Sequence, residues 1–335
     1  MKTAMLHGPG DLRFEDVPRP TAGPRDVVVK VAAAGICGTD LHFRHMGTRF
    51  GKPMALGHEF AGEIVEAGAA VTAFRRGDRV AYNSYNSPAD IGRGGECGGF
   101  SPYVVLRDID DQRQALCRVP DGVSLEHAAL VEPISVAAHA VNRAAPRPGE
   151  SVAIFGVGPI GLGIIIALRW RGVEDVVAFD LSEFRRARAQ ALGARAVFDP
   201  RETPPAEALR PLRGEGKSHF GRRFPKTDVY IEASGAAGLL PQIAEFCDKG
   251  SRIVTLAVQR EPVVLDGTRI MSKEISLIGS SGYPDEFPEV MQKLAAGAVD
   301  PEAMISHRFA FGDFPAAFAT ADDPHRAAKV ILEFE

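Results

Sequence analysis

Cysteine is scarce in this chain: Cys37, Cys97, Cys117 and Cys247 are four residues among 335, widely separated, so no disulfide framework is expected and a reducing cytoplasm is the default setting. Aromatics are also few, at 7% with one Trp, which leaves Val, Ile, Leu and Ala to fill a core built largely on parallel sheet. An excess of one charge is missing too. A net charge of −4 gives no pull towards nucleic acid or another polyanion. The opening MKTAMLHGPGDL runs into Gly, Pro and charge without an apolar core, so no secretory leader is expected. One uncharged stretch, 152–168, imitates a membrane span, but it carries four Gly and a Pro. What the chain does have is a 45% share of hydrophobic residues and enough length for two domains, because single cores stop growing near ~250–300 residues.

Two textures follow one another. The first half reads as short β-rich runs (Val27 to Ala32, Gly62 to Ala67, Arg79 to Tyr82) separated by Gly-Asp turns. After the linker RAAPRPGE, Arg143 to Glu150, apolar strands alternate with helical patterns: SVAIF, VEDVVAFD, DVYIEA, SRIVTLA and ISLIGSS. Such alternation means βαβ units and a parallel sheet. A helix is expected over Asp285 to Ala296, and the tail ends in a strand that returns to the first domain. The polar, basic section Arg201 to Lys226 reads as a surface excursion, and Gly214 to Lys226 within it as a solvated loop.

Within the second texture, Gly156-Val157-Gly158-Pro159-Ile160-Gly161 follows an apolar strand and opens a helix, the context in which GxGxxG has a physical meaning. The first Gly permits the tight turn, the second lets a pyrophosphate approach the backbone, and the third lets helix and strand pack closely. The helix N-terminus supplies unpaired N–H groups and a positive dipole. Asp180 lies at the end of the next strand, 19 residues after Gly161. A carboxylate there accepts from an adenosine ribose 2′-OH and repels a 2′-phosphate, which favours NAD, while Arg185 and Arg186 leave NADP as the alternative. The same reading disposes of the membrane span: the stretch is a buried strand followed by a core helix.

The first half carries Cys37 in GICGTDLH, His58-Glu59 in LGHEF, and Glu132 in LVEPI. Taken singly, Cys37 reads as a buried thiol and His58-Glu59 as a turn. Glu132 is harder to explain away, since a carboxylate among apolar residues is costly to bury unless it is paired or metal-bound. Pro133 is expected to open a second helix at its first position, leaving Glu132 at a junction. Thiolate, imidazole and carboxylate form a zinc ligand set, and three protein ligands plus water is the usual open arrangement. Beside a dinucleotide, zinc would polarise an alcohol oxygen so that hydride can leave carbon.

The segments CGTDLH, GHE, GDRV, GGF followed by YVV, VEPISVAAHAV, GVGPIG and RAAKVIL, in this order over nearly the whole chain, resemble the zinc-dependent medium-chain dehydrogenases. CGTDLH and EPISVAAHAV are most similar to the polyol branch of sorbitol, L-idonate and butanediol dehydrogenases. The resemblance implies an α/β protein with a GroES-like β-rich catalytic domain at 1–146 and 285–335 and a Rossmann NAD-binding domain at 147–284, the active site lying between them. It makes Cys37, His58 and Glu59 zinc-site residues and Glu132 a direct or water-mediated partner. Thr39 matches the hydroxyl that takes the substrate proton, and His42 the histidine that passes it to solvent. Arg185 matches a basic residue on the adenosine ribose. Many relatives carry a second, structural zinc on four close cysteines, but here AYNSYNSPADIGRGGEC holds only Cys97, so one zinc per subunit is expected.

The implied activity is reversible oxidation of a secondary alcohol, polyol or sugar-derived, to a ketone by hydride transfer to NAD. The alternatives are a small aliphatic alcohol or diol as substrate, and a non-catalytic NAD-binding protein on the same scaffold. Phe43, Arg44, His45, Arg49, Tyr82 and Asn83 are candidates for lining the substrate cleft; His139 reads as a helix-packing residue, and Cys117 and Cys247 as ordinary thiols. A homodimer or homotetramer is implied, with Ile275 to Ser281 as the sheet edge that pairs.

Overall fold

In the computed structural model, which describes residues 1–49, 51–95, 97–217 and 221–335, the chain separates into two compact units, Met1–Ser135 with Pro284–Glu335, and Val136–Tyr283. The division falls within the helix Val131–Ala144, after Ser135.

The first unit is organised by strand Val27–Gly35, whose sequence VVVKVAAAG is apolar enough to be buried on nearly every residue. Along one side it pairs antiparallel with Glu59–Ala67, in a register that sets Gly35 opposite Glu59. Its other side is shared: Tyr103–Leu106 pairs with the beginning of the strand, and the C-terminal strand Lys329–Glu333 pairs with its end, Gly35 opposite Ile331. The tail therefore returns to the first unit, as the sequence indicates. Arg79–Tyr82, Leu116–Arg118 and Ile305–Ala310 complete this sheet, and Lys2–Gly8, Asp11–Asp16 and Met54–Ala55 form a second, smaller one. Phe100, Phe314 and Phe318 pack against one another in the core, with ring centroids 4.6 to 5.6 Å apart.

The second unit holds one six-stranded, wholly parallel sheet. Its spatial order is Ala196–Phe198, Val176–Phe179, Val152–Phe155, Val229–Glu232, Arg252–Thr255, Ser276–Gly279. Read in chain order this is 3-2-1-4-5-6, the doubly wound arrangement in which ligands bind where the order reverses. The central strands VAIF, VVAF and VYIE are buried at every residue, so they show no polar alternation. Phe155 stacks on Phe179 at 4.9 Å.

Two local expectations are corrected. Helix Leu125–Ala129 is followed by a helix beginning at Val131, so Pro133 is the third residue of the second helix and Glu132 sits in its first turn. Pro is tolerated there because first-turn N–H groups have no intrahelical partner. The excursion 201–226 carries regular structure: Pro205–Arg213 is a helix with Ala208 and Leu209 buried, and the hairpin Glu215–Lys217 with Arg223–Pro225 stands where a solvated loop was expected over Gly214 to Lys226. A parallel sheet needs such a crossover, and Arg213 seals it by donating to the carbonyls of Val152 and Asp175 at 2.8 and 3.0 Å. Residues 218–220 lie outside the described residues.

Candidate metal centre and dinucleotide turn

Two segments distant in sequence meet at Gly35. Cys37 lies two residues beyond it, Glu59 is paired to it across the sheet, and His58 precedes Glu59. The donor atoms of Cys37, His58 and Glu59 all lie within 4.8 Å of one another, and among the described residues no other group of His, Cys, Asp and Glu is gathered in this way. His58 and Glu59 are buried and Cys37 is half-buried. Gly35 has to be glycine for the carboxylate to fit, since a Cβ there would stand 2.2 Å from Glu59 Oε2.

A carboxylate unforeseen in the sequence reading holds these parts together. Cys37 is the N-cap of helix Gly38–Met46, its sulfur accepting from the Thr39 N–H at 3.5 Å. Asp40, fully buried, closes the box by accepting from the Cys37 N–H at 2.9 Å, and its other oxygen accepts from the Gly57 N–H at 3.2 Å. The same oxygen lies 3.6 Å from His58 Nδ1, a buried nitrogen with no hydrogen-bond partner. With one ring nitrogen held beside a carboxylate, the other is left as the metal donor. Burial opposes a charge on His58, yet the Cys37 sulfur and Asp40 outweigh it and raise its pKa well above the ordinary value. A thiolate, an imidazole and a carboxylate gathered in this way suit Zn²⁺. Gly57, at φ +90°, turns the chain over Phe100, 2.7 Å from where its Cβ would be; that close approach is what GHE and GGF supply together.

Lys329 is the second residue missed. Its ammonium donates to Glu59 Oε1 and Oε2 at 2.9 and 2.7 Å and to the Ile36 carbonyl at 3.1 Å. Burial works against its charge, but Glu59 and Cys37 overcome this and its pKa is raised. A lysine inside the apolar run AAKVIL was the available signal. Glu132 lies outside the triad; it is buried, accepts from Ser84 Oγ at 3.3 Å, and adds to the field that keeps Lys329 charged.

The remaining candidates separate. Thr39 and His42 are exposed, one turn apart on the helix that Cys37 caps. Arg44 and His45 are tied to Asp322 at 3.2 and 2.9 Å, so they anchor the helix end. Tyr82 is a core residue stacked on Phe60 at 4.7 Å. Phe43 packs against the core, and Arg49 lies 3.9 Å from Asp90. Asn83 is buried with its Oδ1 unpartnered. His139 is half-buried, Cys117 is half-buried, and Cys247 is buried.

The glycine turn stands in the second unit at the carboxyl end of Val152–Phe155, where the strand order reverses. Gly156 has φ +87°, and a Cβ there would lie 2.8 Å from Ser234; one on Gly161 would lie 2.1 Å from the Gly156 carbonyl. Gly158 caps helix Pro159–Trp170 with no side chain over its N-terminus, which leaves those N–H groups to a ligand. Val157 and Ile160 flank the turn, Val157 buried. Asp180 takes the Val157 N–H at 2.7 Å and the Ser182 N–H at 2.8 Å, and the Arg185 guanidinium reaches to 3.4 Å from a Cβ built on Gly158. Glu232, buried at the end of the next strand, accepts from the N–H groups of Ser234 and Gly235 and from Gln259, and so shapes the loop that faces Gly156. A dinucleotide pyrophosphate fits such a turn, since Gly156 and Gly161 leave no room for a Cβ and the backbone at Gly158 stays open to a ligand's approach.

Residues 23–120 match the family described as "Alcohol dehydrogenase GroES-like domain", and residues 159–296 the family described as "Zinc-binding dehydrogenase". The chain is similar to (R,R)-butanediol dehydrogenase of Bacillus subtilis (strain 168), 32% identical over 93% of each protein. It is similar to sorbitol dehydrogenase of Bos taurus, 31% identical over 95% of this chain and 92% of that protein. The solved structure of 2R,3R-butanediol dehydrogenase from Bacillus subtilis has a TM-score of 0.87 with 29% identity and covers 99% of both chains. An alcohol dehydrogenase of Escherichia coli CFT073, solved with NADH, has a TM-score of 0.86 with 28% identity, covering 100% of this chain and 99% of that one.

Proposed function

Since this chain belongs to the zinc-binding alcohol dehydrogenase family, we propose that it is an NAD-dependent enzyme that reversibly oxidises a secondary alcohol, a polyol or sugar-derived alcohol, to the ketone. The observation that carries this is the convergence of Cys37, His58 and Glu59 in a unit that belongs to the same chain as a glycine-cradled dinucleotide turn. A pure binder has no use for the triad.

In this reading Cys37, His58 and Glu59 hold a single zinc, with Glu132 as a direct or water-mediated partner. Zinc supplies Lewis acidity at the alcohol oxygen and so lowers the cost of its losing a proton. Thr39 takes that proton and His42, one turn further on, passes it to solvent; both are exposed on the helix that Cys37 caps. Asp40 orients His58, and Lys329 fixes the Glu59 carboxylate. Gly156, Val157, Gly158, Pro159, Ile160 and Gly161 hold the pyrophosphate, and Asp180 and Arg185 the adenosine ribose. Residues 1–146 and 285–335 are assigned to the catalytic domain and 147–284 to the dinucleotide domain.

The similarity to butanediol dehydrogenase supports a second substrate reading, a small vicinal diol. The strand edge Ser276–Gly279, with Leu277 45% exposed, supports a homodimer or homotetramer that continues the sheet from one copy to the next. Four free cysteines, one of them in the triad, suit a reducing cytoplasm. No helix among the described residues is long and apolar enough to cross a membrane.

Metal analysis and NAD titration of the protein and its Cys37→Ser variant test the proposal. One zinc per chain, lost with activity in the variant while NAD binding survives, is the expected result; unchanged turnover of polyols and diols in the variant would overturn it.

A further inference from the structure

Beside Asp180, the next strand ends in a second acid. Asp199 follows Ala196–Phe198, the strand paired with Val176–Phe179, and its side chain is 3% exposed. Two arginines are fastened to it. Arg201 gives its N–H and Nε to Oδ1 at 2.9 and 3.0 Å and its Nη2 to Oδ2 at 2.6 Å; Arg186 gives Nη1 to Oδ2 at 3.3 Å. Both guanidiniums are turned onto the backbone that borders the ribose site. Arg186 donates to the Asp180 carbonyl at 2.7 Å and Arg201 to the Leu181 carbonyl at 3.2 Å. Arg201, then Arg186, hold the Asp199 carboxyl well below the usual carboxylate range, so the clamp is charged at every working pH.

This matters because the arginines are what a 2′-phosphate would need. A guanidinium recognises phosphate by swinging two N–H groups onto its oxygens, and charge-assisted bonds to a buried carboxylate compete directly with that. Asp180 repels a 2′-phosphate at the ribose, but with Arg185, Arg186 and Arg201 within the same neighbourhood one carboxylate is a weak barrier. We propose that Asp199 is a positioning residue for cofactor selectivity: by keeping Arg186 and Arg201 on backbone carbonyls, it withholds them from a 2′-phosphate and makes the site an NAD site rather than an NADP site. The inference rests on the dinucleotide reading of the glycine turn.

The test is the ratio of dissociation constants for NADPH and NADH, read by fluorescence titration of the full-length, zinc-loaded protein. A residue with only a structural role would weaken both ligands together. Asp199→Asn keeps the shape and an acceptor but removes the charge. It is expected to keep NADH binding within about threefold and to lower the NADPH/NADH ratio by about tenfold or more. Adding Arg186→Gln to that variant is expected to cancel the gain. An unchanged ratio with NADH binding intact overturns the proposal.

Should Asp199→Asn not fold, Asp180→Ala decides, with ADP-ribose and its 2′-phosphorylated form as probes. With Asp199 still holding the arginines, the phosphorylated probe is expected to bind no tighter than ADP-ribose. If it becomes the tighter ligand by about tenfold, Asp180 alone sets the preference and the proposal fails. Failure of the unaltered protein to bind ADP-ribose at all would instead strike the dinucleotide reading, and the proposal with it.

Discussion

The ammonium of Lys329 lies between both carboxylate oxygens of Glu59, at 2.9 and 2.7 Å, with both side chains all but inaccessible to water. The pair joins the C-terminal strand to the start of Glu59–Ala67 across Gly35, so the sheet and the metal centre depend on the same contact. Removing one partner of a buried pair strands the other, at a cost of about 3–5 kcal/mol. Lys329→Met is therefore expected to lose about that much stability, and adding Glu59→Gln should restore part of it. Urea denaturation of the two variants checks this; a double variant less stable than Lys329→Met would show that the loss comes from packing rather than from the orphaned carboxylate.

Asp40 touches the Cys37 N–H, the Gly57 N–H and the neighbourhood of His58 Nδ1 without belonging to the donor triad. Carboxylates that orient a ligating imidazole are worth about 10–100-fold in metal affinity. Asp40→Asn keeps the volume but turns one acceptor into a donor facing N–H groups. Zinc affinity measured by competition with a chelator is expected to fall by about 10–100-fold, while NADH binding stays within about twofold.

These two residues also show where reading the chain stops short. Cys37, His58 and the glycine turn were legible because each motif is local: CGTD starts a helix, GHE starts a strand, GVGPIG lies between strand and helix. Asp40 was legible in principle, as the third residue of a capping box, but its reach to Gly57 was not. Lys329 stands 270 residues from Glu59, and only the register Gly35 opposite Ile331 brings them together. Tyr82 illustrates the opposite error. Placed by its motif among cleft residues, it belongs to the core, because the strand Arg79–Tyr82 turns it onto Phe60. The helix Pro205–Arg213 was hidden by its charge: Arg210 and Arg213 suggested solvent, yet Arg213 is spent on buried carbonyls.

Among the described residues the edge strand Ser276–Gly279 has one side unpaired, and Leu277 is 45% exposed. If two copies pair there, a charge placed on the strand must be buried or the pairing abandoned. Leu277→Lys is expected to shift the protein towards monomer at micromolar concentration, with zinc content unchanged. Light scattering coupled to size-exclusion chromatography reads the outcome, and an unaltered mass would place the interface elsewhere.

Cys247 gives a prediction in pH. It is fully buried, its sulfur 3.6 Å from the Ala244 carbonyl, and burial pushes its thiol up to about 11 from the ordinary 9.0. Between those values the unfolded chain loses the thiol proton while the folded one keeps it. Fewer protons are then bound in the unfolded state, and stability must fall as pH rises. The contribution is fully present below pH 9 and is withdrawn over the two units above it, amounting to roughly 2–3 kcal/mol at about 1.4 kcal/mol per unit. Groups remote from the thiol contribute equally in a Cys247→Ala variant and cancel in a comparison of the two proteins. The stability difference between the two proteins, measured by urea denaturation from pH 8 to pH 11, is therefore the informative quantity. It should shift against the cysteine protein as pH rises through the 9 to 11 window and stay flat below it. A difference independent of pH across the whole range would mean that the thiol is solvated well enough to ionise in the folded state, contrary to its burial.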